Sequence, residues 1–304
     1  MFFFERIPWY TSLMALLVLT LLVLINEITR RSKWASIGVY IIMPIILTIA
    51  VWPKTAGADS PSGYWFAWTK TYSALAGVIG FMALRHIRGL DKNKFMLMFP
   101  PLILSINILE AVYRDFQCYN IHGMENGLMI IGGPWNIING IAGILNIITI
   151  SGWYGIFISK DKTRDMIWPD QLWFWIMAYN IWNFSYTYNC ISDRSFYAGL
   201  ILLLSSTIAT FFIKKGAWLQ HRAQCLALYA MFALTVPTFA ESSKFAVRSS
   251  HNPKALLLLS ILSFGVNVAV LVYKIKCKRE YKRNSLKDEI YINSKAYEEV
   301  VNIN

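Results

Sequence analysis

Residues 168–190, WPDQLWFWIMAYNIWNFSYTYNC, restrict the fold more than any other stretch of the chain. The segment is long enough to cross a bilayer as a helix. Within it Trp175, Tyr179, Trp182, Asn183 and Tyr186 fall at i, i+4, i+7, i+8 and i+11, which is one helical face. Ile176, Ile181 and Phe184 lie largely off that face. An amide in hydrocarbon is costly without a hydrogen-bond partner, so the polar, aromatic face is expected to turn inward. A helix of this kind needs other helices around it, which predicts a multi-pass membrane protein with a polar interior.

The rest of the chain agrees. Of 304 residues 56% are hydrophobic and 15% charged, against about 25% charged in a soluble domain. The charges cluster between apolar runs, and the short connections leave no room for a separate soluble domain. The fold class expected is all-α, a polytopic integral membrane helix bundle. Nine spans are expected, at residues 11–29, 34–52, 71–84, 95–113, 134–159, 168–190, 196–213, 224–240 and 255–273. The third is the weakest and reaches spanning length only with residues 64–70. Pro100 and Pro101 interrupt the fourth, and Pro237 lies in the eighth. Residues 1–283 form one helical domain, and 284–304 a short polar tail.

Lys and Arg are concentrated after spans 1, 3, 5, 7 and 9, whereas the connections after spans 2, 4 and 6 are nearly neutral. By the positive-inside rule this puts the N-terminus outside and the C-terminus in the cytoplasm. The connection after span 8, with Lys244, Arg248 and Lys254, departs from the pattern. The net charge of +12 is thus read as topology and attraction to anionic lipid, the bilayer being the expected partner. Nucleic-acid binding is not expected, because no folded basic face presents the charge. The first apolar run lacks a small-residue cleavage site and runs on too far for a removable signal peptide.

The candidate binding residues gather toward the outer ends of spans 4, 5 and 6. Asn107, Glu110 and Arg114 lie at i, i+3 and i+7, and Glu110 is read as the one carboxylate well inside spans 4 to 7. Asn136, Asn139, Gly143 and Asn146 follow a similar spacing in span 5. Together Glu110, Arg114, Asn136, Asn139, Trp175, Tyr179, Trp182, Asn183 and Tyr186 form the expected ligand-binding set. Each has a bland reading beside it. Glu110 and Arg114 can pair along one helix, asparagines can serve as interhelical glue, and tryptophans can anchor at the interface. Gly140, Gly143 and Gly155 would let another helix approach span 5 closely. Cys118 and Cys190 share the outer side, where a disulfide is one expectation and two free buried thiols the other.

No catalytic residue is identified. The four histidines stand apart without metal-ligand spacing, and neither a nucleophile elbow nor a phosphate-cradling loop is present. No metal or cofactor is expected. GGPWNIING at 132–140 and AYNIWNFSYTYNCISDRSFYAG at 178–199 resemble a family of bacterial multi-pass membrane proteins of unknown function. The resemblance implies a bacterial inner-membrane setting and no activity or ligand. Three functions compete: a transporter or receptor for a small solute, an intramembrane enzyme acting on a lipid-linked substrate with Glu110 as base, and a structural or regulatory subunit.

Overall fold

A computed structural model of the chain describes residues 2–57 and 62–304. Nine long helices dominate the described residues, one in each region where the sequence places a span. They are α1 (Trp9–Arg31), α2 (Lys33–Thr55), α3 (Trp65–His86), α4 (Lys94–Cys118), α5 (Pro134–Thr149), α6 (Trp173–Cys190), α7 (Phe196–Ile213), α8 (Trp218–Thr235) and α9 (Pro253–Glu280). A shorter helix, α10 (Lys295–Ile303), follows. Two antiparallel hairpins complete the chain: β1 (His122–Glu125) with β2 (Leu128–Ile131), and β3 (Phe157–Ile158) with β4 (Met166–Ile167).

Helices α1, α2, α4, α7 and α9 are long and apolar enough to cross a membrane, which marks the chain as a helical membrane protein. Burial supports this. In α1 the exposed residues Leu13, Leu16, Leu17, Leu21, Leu24 and Ile28 recur every three or four positions, while Thr11, Asn26, Thr29 and Arg30 turn inward. On α2, Ile45, Ile46 and Ile49 are exposed. Apolar outside and polar inside is the arrangement lipid favours, because polar groups then find partners in the protein.

The helices form two packed groups. In one, α9 lies along α5 and α6, and α4 packs on α5. In the other, α3 packs on α8, and α1 lies against α7 and α8. Close approach of α4, α5 and α6 depends on small residues. A Cβ at Gly143 would stand 2.4 Å from Val112 Cγ2 and 2.7 Å from the Trp182 indole nitrogen, and one at Gly140 would strike the Phe116 ring. Gly155 differs: its neighbour is the Glu289 side chain rather than another helix.

Several boundaries differ from the sequence reading. Helix α3 is continuous from Trp65, so the weak third span is a full-length helix. The helix is interrupted at Met98, between Lys94–Leu97 and Phe99–Cys118, and Pro100 and Pro101 sit in the first turn of the longer piece, where a missing N–H costs nothing. Helix α5 stops at Thr149, ten residues early, because Ile150 turns extended and Gly152 takes φ +63°. Its last carbonyls are capped by Lys274 of α9, which donates to Ile148 O at 2.8 Å and Ile150 O at 3.0 Å. Helix α8 begins six residues early, at Trp218, and ends at Thr235 before Pro237. The neutral connection at 116–133 holds the β1–β2 hairpin, turned by Asn126 and Gly127, both with positive φ.

Residues 284–304 fold back on the basic end of the bundle. Ile290 N and Tyr291 N donate to the Asp170 carboxylate at 3.1 and 3.0 Å, and Tyr291 stacks on Tyr273. Tyr297 and Val300 of α10 pack with Ile167, Leu172, Ala217 and Cys277. Burial pushes the Asp170 carboxyl up, against the Ser151 hydroxyl and these two amides. At the same end Asp165, fully buried, receives Arg30 at 2.6 Å and Gln220 at 2.8 Å, tying α1 and α8 to the connection after α5.

Candidate functional site

The residues of α4 divide between two faces. Leu104, Ile108, Ala111, Asp115 and Cys118 recur at i, i+4, i+7, i+11 and i+14 and are all buried. Asp115 therefore enters the core with the apolar stripe. Asn139 Nδ2 donates to its Oδ2 at 2.7 Å, Asn136 Nδ2 to its Oδ1 at 3.2 Å, and the Cys190 thiol to the same Oδ1 at 3.3 Å. Asn139 also accepts Ser263 Oγ at 2.8 Å on its side-chain oxygen and the Trp182 indole at 3.1 Å on its carbonyl. One asparagine thus links α4, α5, α6 and α9. Cys118 and Cys190 are both buried and free, as are Cys225 and Cys277.

Glu110 lies on the other face of α4. Its partner is Lys70 of α3, at 3.1 Å, with Ser73 Oγ at 3.3 Å. Lys70 also donates to Asn107 O at 2.9 Å. Arg114 does not pair with Glu110; it reaches Glu125 on β1. The pairing along one helix is therefore replaced by two links to other elements, because the side chains of α4 meet α3 and the hairpin before they meet each other.

A cleft with charged groups in its lining opens between α3, α6, α7 and α8. Lys70, Asn183, Tyr186, Arg194, Arg222 and Glu241 supply its polar lining; Phe66, Leu226, Tyr229, Phe232 and Phe239 supply apolar wall. Arg194, the last residue of a one-turn 3-10 helix after α6, pairs with Glu241 at the mouth. Burial pushes the Glu241 carboxyl up, and the Arg194 guanidinium pulls it back. A smaller neighbouring cavity shares Lys70, Asn183, Arg222 and Leu226 with the cleft. Arg222, one turn into α8, donates through Nη2 to Asn183 Oδ1 at 3.3 Å and lies over the Tyr179 ring.

The nine residues singled out in the sequence are thus not brought to one place. Asn183 and Tyr186 line the cleft, and Tyr179 lines the smaller cavity beside it. Asn136 and Asn139 hold Asp115, Trp182 bonds Asn139 O, and the Trp175 indole donates to Thr149 Oγ1 at 3.0 Å. Glu110 acts on Lys70, and Arg114 on the hairpin. Glu110 is also not the only carboxylate inside: Asp115 is deeper, at 0% exposure. Lys70, Arg194 and Arg222 enter the lining without having been candidates. For Arg222 the signal was present, since Trp218, Arg222, Cys225 and Tyr229 share one helical face, but residues 214–223 read as a connection. Among the described residues no group of three or more His, Cys, Asp or Glu side chains could hold a metal ion.

A family model described as "Family of unknown function (DUF5692)" matches residues 5–303. The chain belongs to this family. No curated protein and no solved structure matches the chain. Membership in DUF5692 agrees with the resemblance to an uncharacterised family and assigns no activity, so function has to be argued from the cleft.

Proposed function

We propose that this DUF5692 protein is a multi-pass protein of the bacterial inner membrane that binds a small solute in the cleft between α3, α6, α7 and α8, as a transporter or receptor. The observation that carries the reading is the cleft itself. It opens inside a helical membrane protein, with polar groups of α3, α6 and α8 converging across an aromatic and aliphatic wall. Solute sites have this composition: apolar surface for affinity and a few placed polar groups for orientation. The Asp115 cluster is assigned a structural role, because its carboxylate is closed off by Asn136, Asn139 and Cys190.

In this reading nine spans run with the N-terminus outside and the basic end in the cytoplasm. The mouth at Arg194 and Glu241 then faces outward. The test is chemical access to the cleft wall. Ala198 of α7 lines it, and the four native thiols are buried. A cysteine introduced as Ala198→Cys should react with a small water-soluble thiosulfonate in native, detergent-purified protein, while the wild type stays unmodified. Reaction only after denaturation would close the cleft to solutes and remove the proposal.

A further inference from the structure

We infer that the solute carries a single negative charge and that its anionic group, a carboxylate, docks on Arg222. The inference rests on the solute-binding reading of the cleft and specifies its ligand.

Three observations converge. The first is an incomplete partner set. Arg222 is 4% exposed, and among the described residues its Nε and Nη1 have no acceptor. Its one hydrogen bond is the 3.3 Å contact to Asn183 Oδ1, a neutral group. A buried guanidinium without a counter-ion is strongly unfavourable, because the energy lost on leaving water is returned only by a close anion. The second is position. Arg222 lines both the cleft and the adjoining cavity, so its free edge borders space that a ligand can fill.

The third is charge balance. Three cations line the cleft. Lys70 is matched by Glu110 and Arg194 by Glu241, while among the described residues no carboxylate lies within ion-pair distance of Arg222. One positive charge is left over, which one carboxylate would neutralise. Nη2 stands between the unpaired Nε and Nη1, and its second N–H can join one of them in holding the two oxygens of a carboxylate. The apolar wall of Leu226, Tyr229 and Phe232 favours an organic acid, whose carbon skeleton it can cover, over inorganic phosphate, which has none.

The experiment uses purified full-length protein and thermal shift. The probes are acetate, octanoate and benzoate, their matched primary amides, and inorganic phosphate. At least one carboxylate should raise the melting midpoint by several degrees while its amide and phosphate do not. In Arg222→Gln the effective carboxylate should bind about 100-fold more weakly, with unliganded stability kept or raised because an uncompensated charge has gone. Should Arg222→Gln not fold, the carboxylate–amide comparison on the wild type decides alone. An amide as effective as its acid, or a carboxylate response that survives Arg222→Gln, overturns the anion assignment. If that response is still lost when the cleft is filled by Ala198→Trp, the cleft reading stands without it. No response to any probe, charged or neutral, removes both.

Discussion

Asp115 of α4 and Asn139 of α5 meet at 2.7 Å in the interior of the bundle, where neither is exposed to solvent. Through Asn139 the same contact reaches Trp182 of α6 and Ser263 of α9. It is the polar centre of a helix packing that lipid-facing apolar residues could not specify, because hydrocarbon chains compete equally for any apolar face.

Replacing this carboxylate should be costly. Asp115→Ala strands the amides of Asn136 and Asn139 and should destabilise by about 2–4 kcal/mol, the cost of two unsatisfied buried donors. Asp115→Asn turns one acceptor into a donor facing another amide and should cost about 1–3 kcal/mol. Thermal melting in detergent, read beside solute binding, checks both. A cluster that is purely structural lowers the melting midpoint and leaves the affinity of the surviving folded protein unchanged.

Lys70 and Glu110 should behave as a pair. Each is about one-fifth exposed, so either single change, Lys70→Met or Glu110→Gln, leaves a largely buried charge alone and should cost about 1–3 kcal/mol. The double variant removes both charges and should be less destabilised than the sum of the singles, by at least about 1 kcal/mol. Additive effects would mean that the two side chains are not coupled.

Glycines in α5 and α9 should give opposite results. Gly143→Ala drives a methyl into Val112 and Trp182 and should cost about 1–3 kcal/mol through overpacking. Gly265→Ala meets nothing within 4 Å. It should be neutral or stabilising by up to about 1 kcal/mol, since alanine is the better helix former. Melting midpoints of the two variants make the comparison.

The membrane class, the regions of the nine helices and the inward face of α6 were legible from hydropathy and periodicity alone. Pairings were not. Asp115 was overlooked because the charged run Arg114–Asp115 reads as the end of a span, whereas the helix carries on to Cys118 and the stripe from Leu104 takes Asp115 inward. Arg222 was overlooked for the same reason at the start of α8, where Lys214 and Lys215 mark a connection that ends four residues before it. The Asn126–Gly127 hairpin had a local turn signal, but its strands are too short to show a period. Periodicity names the face a residue occupies; the helix that comes to meet that face depends on long-range packing.

Orientation is open to direct measurement. Reporter fusions after Arg283 should read cytoplasmic, and fusions within the β1–β2 hairpin, at Asn126, should read external. The reverse pair of readings would invert the bundle and turn the mouth of the cleft toward the cytoplasm.

The central claim is that the cleft between α3, α6, α7 and α8 holds a solute, and filling it tests that claim most directly. Ala198→Trp places an indole in the cleft, whose lining does not include Asp115 or Asn139, and leaves every charged residue in place. A solute at about 100 times its dissociation constant stabilises the wild type by about 2.7 kcal/mol, which thermal shift resolves. The account predicts that this stabilisation disappears in Ala198→Trp while the unliganded protein remains folded and monodisperse. A solute that stabilises the filled variant as much as the wild type would contradict it.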